Sequence, residues 1–214
     1  MSKPTRAVEW IVWGGMALAI AGIFAAWFAS KANPSDAVAA ESLPVYGTVQ
    51  DFKLTNQLGR PFTLADLRGR VWVADIIFTT CPGPCAKMTR TMKELQTALP
   101  VDVGLVSLTA NPAFDTPEVL KKYADRFGAN PRSWQFLTGP KKEIYDLAID
   151  SLKLAVEEIP AQERKSPDDL FIHSTRFVLV DGKGRVRAFF DGDTPGSIPK
   201  MLKAVERLSQ EKGS

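Results

Sequence analysis

Residues 71–90 read VWVADIIFTTCPGPCAKMTR. The first eight, Val71–Phe78, are nearly continuous apolar, with β-branched residues inside and an aromatic near either end. A run of this kind is a central strand buried on both faces. After it, Met88, Met92, Leu95 and Leu99 recur at helical spacing, which predicts a helix over Pro84–Leu99 with the two methionines in the core. Strand gives way to helix across Cys81 and Cys85, which are separated by three residues. A helix start offers unpaired backbone N–H groups and the positive end of the helix dipole. Both favour a thiolate over a thiol, and the thiolate is the better nucleophile and metal ligand. Pro82 and Pro84 stiffen this connection and need no N–H partner there. Gly83 relieves crowding between them. Asp75 is the one charge inside the strand. Buried, its carboxyl has a raised pKa and exchanges protons with the thiols; otherwise it faces a polar pocket or a sheet edge.

Working outward, Val49–Leu54 and Pro61–Leu64 read as short strands about a turn at 56–59. Val101–Leu108 is the next strand. Asp115-Thr116-Pro117-Glu118 opens a helix that Gly128 stops. Trp134–Leu137 is a strand, Lys142–Leu152 a helix and Leu154–Val156 a short strand. Ile159–Leu170 is a polar loop containing proline. Thr175–Val180 and Arg185–Phe190 form a hairpin about the turn Asp181–Gly184. Thr194–Pro195 caps a last helix, Gly196–Leu208. This order predicts an α/β fold, a thioredoxin-like sandwich with an added N-terminal β-hairpin.

The domain occupies 48–214. Before it, Trp10–Ser30 carries no charge and, at about 1.5 Å per residue, spans roughly 30 Å, the thickness of a bilayer core. Trp10, Trp13 and Trp27 stand near its ends as interfacial aromatics do. Residues 1–9 then form a cytoplasmic tail bearing Lys3 and Arg6, 10–30 one transmembrane helix, and 31–47 a linker rich in Ala, Pro and Ser. The competing reading is a cleaved signal peptide, with Ala37-Val38-Ala39 as the cleavage site. Both readings export the rest of the chain. No cysteine follows the apolar run, which excludes a lipidated cysteine. The short tail excludes a mitochondrial transit peptide and points to a bacterial inner membrane, single-pass, with the C-terminal domain on the periplasmic side.

The 214 residues are 45% hydrophobic with net charge +3, so there is no electrostatic case for nucleic acid. Two cysteines and one histidine exclude a zinc ribbon and any two-histidine metal site. Three chemistries remain for Cys81 and Cys85. One is a structural disulfide, which in so small a ring stabilises little. Another is a redox-active pair. The third is a soft metal site. His173 precedes a late strand that, in thioredoxin-like folds, lies beside the active-site helix start. It therefore faces the two cysteines. A Cys2His set leaves positions vacant, as transport or catalytic sites do, and suits low-coordinate Cu(I).

At this point the chain resembles the SCO/SenC family, thioredoxin-fold copper proteins of cytochrome c oxidase assembly. The carriers are DFKLTNQLGRPFTLADLRGRVWVADIIFTTCPGPC, then DTPEVLKKYADRFG, WQFLTG and HSTRFVLVDGKGRV, within roughly 49–207. The resemblance implies that Cys81 and Cys85 are copper-binding and redox-active, and that His173 is the third copper ligand. It implies delivery of copper to the dinuclear site of oxidase subunit II, or reduction of that site's cysteines, with a thiol–disulfide reductant in the same compartment. The alternative is a periplasmic thiol–disulfide oxidoreductase that acts through Cys81 and Cys85 without delivering copper. Ala86 stands where many members have Pro, and Asn111-Pro112 where many have Asp-Pro. Ser174-Thr175 replaces the Pro-Thr of thioredoxin, which makes general disulfide reduction the weaker expectation.

Overall fold

The computed structural model describes residues 6–32, 42–81, 83–164, 170–192, 194 and 196–211. The Ala37–Ala39 cleavage motif, Pro82, Pro195 and most of the linker lie outside the described residues. The chain divides into two compact units, Met1–Glu41 and Ser42–Ser214. The first contains α1 (Arg6–Ala32), which covers the uncharged run. Among the described residues no helix is long and apolar enough to cross a membrane.

In the second unit, Val71–Phe78 forms β4 (Trp72–Ile77), with all six residues buried. Its partners are β5 (Gly104–Thr109), parallel, and β9 (Arg176–Val180), antiparallel. β6 (Trp134–Thr138) continues the parallel ladder beyond β5, and β10 (Arg185–Asp191) hairpins back on β9. α2 (Pro84–Ala98), α3 (Pro117–Arg126) and α5 (Ser197–Glu211) complete the α/β sandwich. Met88, Met92 and Leu95 of α2 are buried in the core, as their spacing predicts.

The expected strand over Val49–Leu54 is strand only at Lys53 and Leu54, and the eight-stranded sheet takes up the chain on either side of Val49–Phe52, near its two opposite ends. β1 (Gly47–Thr48) pairs with β10, and β2 (Lys53–Asn56) pairs with β6 and, as a hairpin, with β3 (Pro61–Thr63). Residues 49–52 carry the chain across, Gln50 N–H bonding to Ser151 Oγ at 3.3 Å. The helix expected over Lys142–Leu152 is α4 (Lys141–Tyr145) followed by a π-helical turn, Asp146–Ser151. The polar loop joins the two strands of a second sheet, the first of which overlaps the short strand expected at Leu154–Val156. β7 (Val156–Glu158) pairs antiparallel with β8 (Phe171–His173), with Val156 opposite His173.

Ser42–Gly47, which the sequence places in the linker, are part of the folded unit. Arg187 is buried and donates to Asp181 Oδ2 and Glu211 Oε2, each at 2.8 Å, and to the carbonyls of Leu43 and Pro44 at 3.0 and 3.2 Å. Glu211 also accepts the Leu43 N–H at 3.2 Å. Taking away one member of a buried charge network leaves the others uncompensated, at a cost of about 3–5 kcal/mol. Urea denaturation should show a loss of that order for Arg187→Ala. Breaking the exposed Lys121–Asp125 pair on α3 should cost at most about 0.5 kcal/mol. Equal losses would mean that the Arg187 network holds nothing together.

Candidate metal centre

β4 ends at Ile77, and the chain turns through Phe78–Cys81, closed by Cys81 N–H to Phe78 O at 3.2 Å. Gly83 caps α2 and Pro84 occupies its first turn. Cys85 lies in that turn and is fully buried, while Cys81 is half-buried at the strand-to-helix junction. Both are free thiols. Phe78 N–H points at Cys85 Sγ from 3.5 Å.

The ribbon of β7 and β8 brings the third residue. His173 Nε2 lies 3.1 Å from Cys85 Sγ. Its Nδ1 lies 3.0 Å from the carbonyl oxygen of Ser174. A carbonyl only accepts, so Nδ1 carries the proton and Nε2 presents its lone pair to the sulfurs. That is the tautomer a metal ligand needs, held by the kind of outer contact that orients ligating histidines. Phe78 packs edge-on to His173, with ring centroids 5.6 Å apart. Ser174 N–H bonds to Ala155 O at 2.8 Å and ties the ribbon together. A proline at 174, as in thioredoxin, would have no N–H to give.

One ligand atom each from Cys81, Cys85 and His173 lies within 4.8 Å of the other two, so the three can hold one metal ion. The sequence predicts all three residues, and the structure brings them together. The dithiol is polarised. A hydrogen bond from Cys85 lowers the Cys81 pKa to about 4 against the effect of partial burial, with the backbone N–H groups of Gly83 and Cys85 assisting. Giving its hydrogen to Cys81, together with burial, pushes Cys85 up. One sulfur is thus a ready thiolate, and the other keeps its proton until a metal or an oxidant takes it.

Asp75 is completely buried, and among the described residues neither carboxyl oxygen has a hydrogen-bond partner. Burial raises its pKa to about 7. Of the two readings of Asp75, the structure supports the buried one. The role of Asp115 is not visible in the sequence. Read as part of a helix start, it is a buried carboxylate that accepts hydrogen bonds from Thr79 and Thr109. Thr116 is the residue that caps α3. A carboxylate beside a good N-cap residue was the available signal.

A thioredoxin-like domain with a half-buried Cys2His cluster is a class of metal- and redox-handling protein. Comparison with known proteins narrows it. The SCO1/SenC family model matches residues 41–210, and the chain belongs to that family. The SCO1 protein homolog of Bacillus subtilis is 35% identical over 153 residues, 70% of this chain and 76% of the relative. One solved structure is that of BsSco, described as a member of the Sco family of cytochrome c oxidase assembly proteins. It matches with TM-score 0.66 and 33% identity, covering 79% of this chain and 98% of that one. Yeast Sco1 with copper bound matches with TM-score 0.58 and 25% identity over 75% of this chain and 89% of that one.

Two titrations check the electrostatics. A Cys81 pKa of about 4 keeps the thiolate populated through pH 5. Alkylation of Cys81 by iodoacetamide in the reduced protein should then be nearly as fast at pH 5 as at pH 8. A tenfold fall per pH unit would mean an ordinary thiol. For Asp75, the folded pKa lies above the unfolded one, so burial penalises the charged form. The penalty is absent below about pH 4, grows as pH rises to about 7, and is constant above. Relative to the parent, Asp75→Asn should therefore gain stability between pH 4.5 and pH 8 in urea melts. A difference independent of pH would contradict the buried ionisation.

Proposed function

We propose that the chain is a membrane-tethered copper-binding protein of cytochrome c oxidase assembly, with Cys81, Cys85 and His173 as the copper ligands. The observation that carries this reading is the convergence of two sulfurs and an oriented imidazole nitrogen within 4.8 Å. Two thiolates and an imidazole are soft-to-intermediate donors, which suit copper better than a hard cation. Three ligands leave the ion open to a further donor, as a carrier requires. Copper is cargo here. A recipient thiolate or imidazole adds at the open side, a chain ligand leaves, and the ion moves without any change of redox state.

The recipient in this reading is the dinuclear copper site of oxidase subunit II. The uncharged run Trp10–Ser30 is the anchor in a bacterial inner membrane, and the folded unit lies on the periplasmic side. Membership of the SCO1/SenC family supports the assembly role, and the long apolar run supports the anchor. A second reading rests on the two free sulfurs and their polarised pKa values. In it Cys81 attacks a target disulfide and Cys85 resolves the mixed disulfide, reducing the recipient's cysteines; the oxidised pair is then restored by a thiol reductant of the compartment. The two readings are compatible, because only the dithiol binds copper.

His173 separates them. His173→Ala should weaken Cu(I) binding by the reduced full-length chain at least tenfold in competition titrations, and leave the rate of Cys81–Cys85 disulfide exchange within about twofold. A variant that binds one copper as tightly as the parent would remove His173 from the site. A parent that binds no copper would leave the thiol reading alone standing.

A further inference from the structure

The sheet stops short of the cysteines. The β4–β5 ladder runs from Trp72 opposite Gly104 to Ile77 opposite Thr109, and its last rung is Ala110 N–H to Ile77 O at 2.7 Å. α2 begins only at Pro84. Between those points Thr79, Thr80 and Cys81 belong to no element. Thr80 Oγ is buried and, among the described residues, has no hydrogen-bond partner. The turn closed by Cys81 N–H and Phe78 O fixes the shape of this segment but not its place.

Its place is set from the neighbouring connection. Asp115 is completely buried between β5 and α3. Its Oδ2 accepts the Thr79 N–H at 3.2 Å and the Thr109 hydroxyl at 2.5 Å. Its Oδ1 accepts the Thr79 hydroxyl. An ionised carboxylate only accepts, and here three donors meet it. Thr109 Oγ in turn accepts the Asn111 N–H at 3.0 Å, and Asp115 N–H bonds to Asn111 O at 2.9 Å, so the connection is itself rigid. Thr116 caps α3 through its own hydroxyl, which leaves the Asp115 side chain unused by the helix.

We propose that Asp115 is a positioning residue for the dithiol. By clamping Thr79 to the end of β5, it holds Cys81 at the distance from Cys85 at which the two sulfurs share a proton, a disulfide or a metal. The metal part of this role rests on the copper-binding function proposed above; the disulfide part does not. Two sulfurs held in register have a high effective concentration for each other, and releasing one lowers it. Disulfide formation oxidises both thiols by two electrons, which glutathione disulfide accepts as it becomes two glutathione thiols.

The test is the equilibrium constant of the Cys81–Cys85 disulfide in glutathione buffers at fixed pH, on the metal-free full-length chain in detergent. Asp115→Asn places an N–H2 where an acceptor stood, and should shift this constant at least fivefold toward the dithiol. It should also weaken Cu(I) binding at least tenfold. Arg187→Ala, destabilised elsewhere in the domain, should keep the parent's disulfide constant. A parent-like disulfide constant in Asp115→Asn overturns the proposal, whatever happens to its melting temperature or its copper. If Asp115→Asn does not fold, Thr79→Val decides. It loses the hydroxyl donor, keeps the backbone one and should shift the constant at least twofold; no shift overturns the proposal. A parent chain that holds no copper refutes the copper-binding function and leaves the disulfide measurement to judge Asp115.

Discussion

Everything at the site depends on the pairing of β4 on both sides, parallel to β5 and antiparallel to β9. All six of its residues are buried, so neither face meets solvent, which is why its sequence is apolar without alternation. The same pairing decides what stands at its end. β5 leads out to the connection that carries Asp115, and β9 is entered from the ribbon that carries His173. Cys85 and His173 are 88 residues apart in the chain and meet at 3.1 Å. No local preference brings them together; the strand order does.

The chemistry follows from what surrounds the sulfurs. A helix start and a neighbouring thiol stabilise one negative charge, and burial resists a second. The reduced site thus carries one thiolate and one held proton at neutral pH, and a bound cation removes the obstacle to the second charge. Asp75, buried in the strand, is a cost to the fold at neutral pH. Nothing else in β4 departs from an apolar pattern. The scarcity of ligands acts in the same direction: the chain has two cysteines and one histidine, all three in this cluster, and so holds no competing Cys or His site.

Where hydrophobic period and punctuation agree, the sequence was legible. β4, α2, the β9–β10 hairpin and the start of α3 all follow from residue pattern, and so do the two cysteines. His173 was legible only through the expected fold, because a lone histidine ahead of a strand has no signature of its own. Of the β7–β8 ribbon only the start of β7 was legible, through the short strand expected at Leu154–Val156. Its strands are three residues each and half exposed, so neither period nor burial marks them. That most of Val49–Leu54 crosses from one side of the sheet to the other was hidden because a crossing segment has the same alternation as a strand. The role of Asp115 was not legible because capping is a local rule that Asp and Thr satisfy equally well, and only the fold shows which residue faces Thr79.

The metal ligands sit on elements of unequal firmness. Cys81 and Cys85 flank the junction of the central strand with a core helix. His173 ends a two-stranded ribbon that shares no ladder with the main sheet. Short ribbons open locally at a lower free energy than central strands, without global unfolding. The observed affinity for any ligand that needs all three groups is therefore the intrinsic one multiplied by the fraction of molecules with the ribbon closed. Amide hydrogens in β8 and ligand dissociation then report the same opening. A substitution far from the sulfurs that loosens the ribbon weakens the site without altering a single ligand atom.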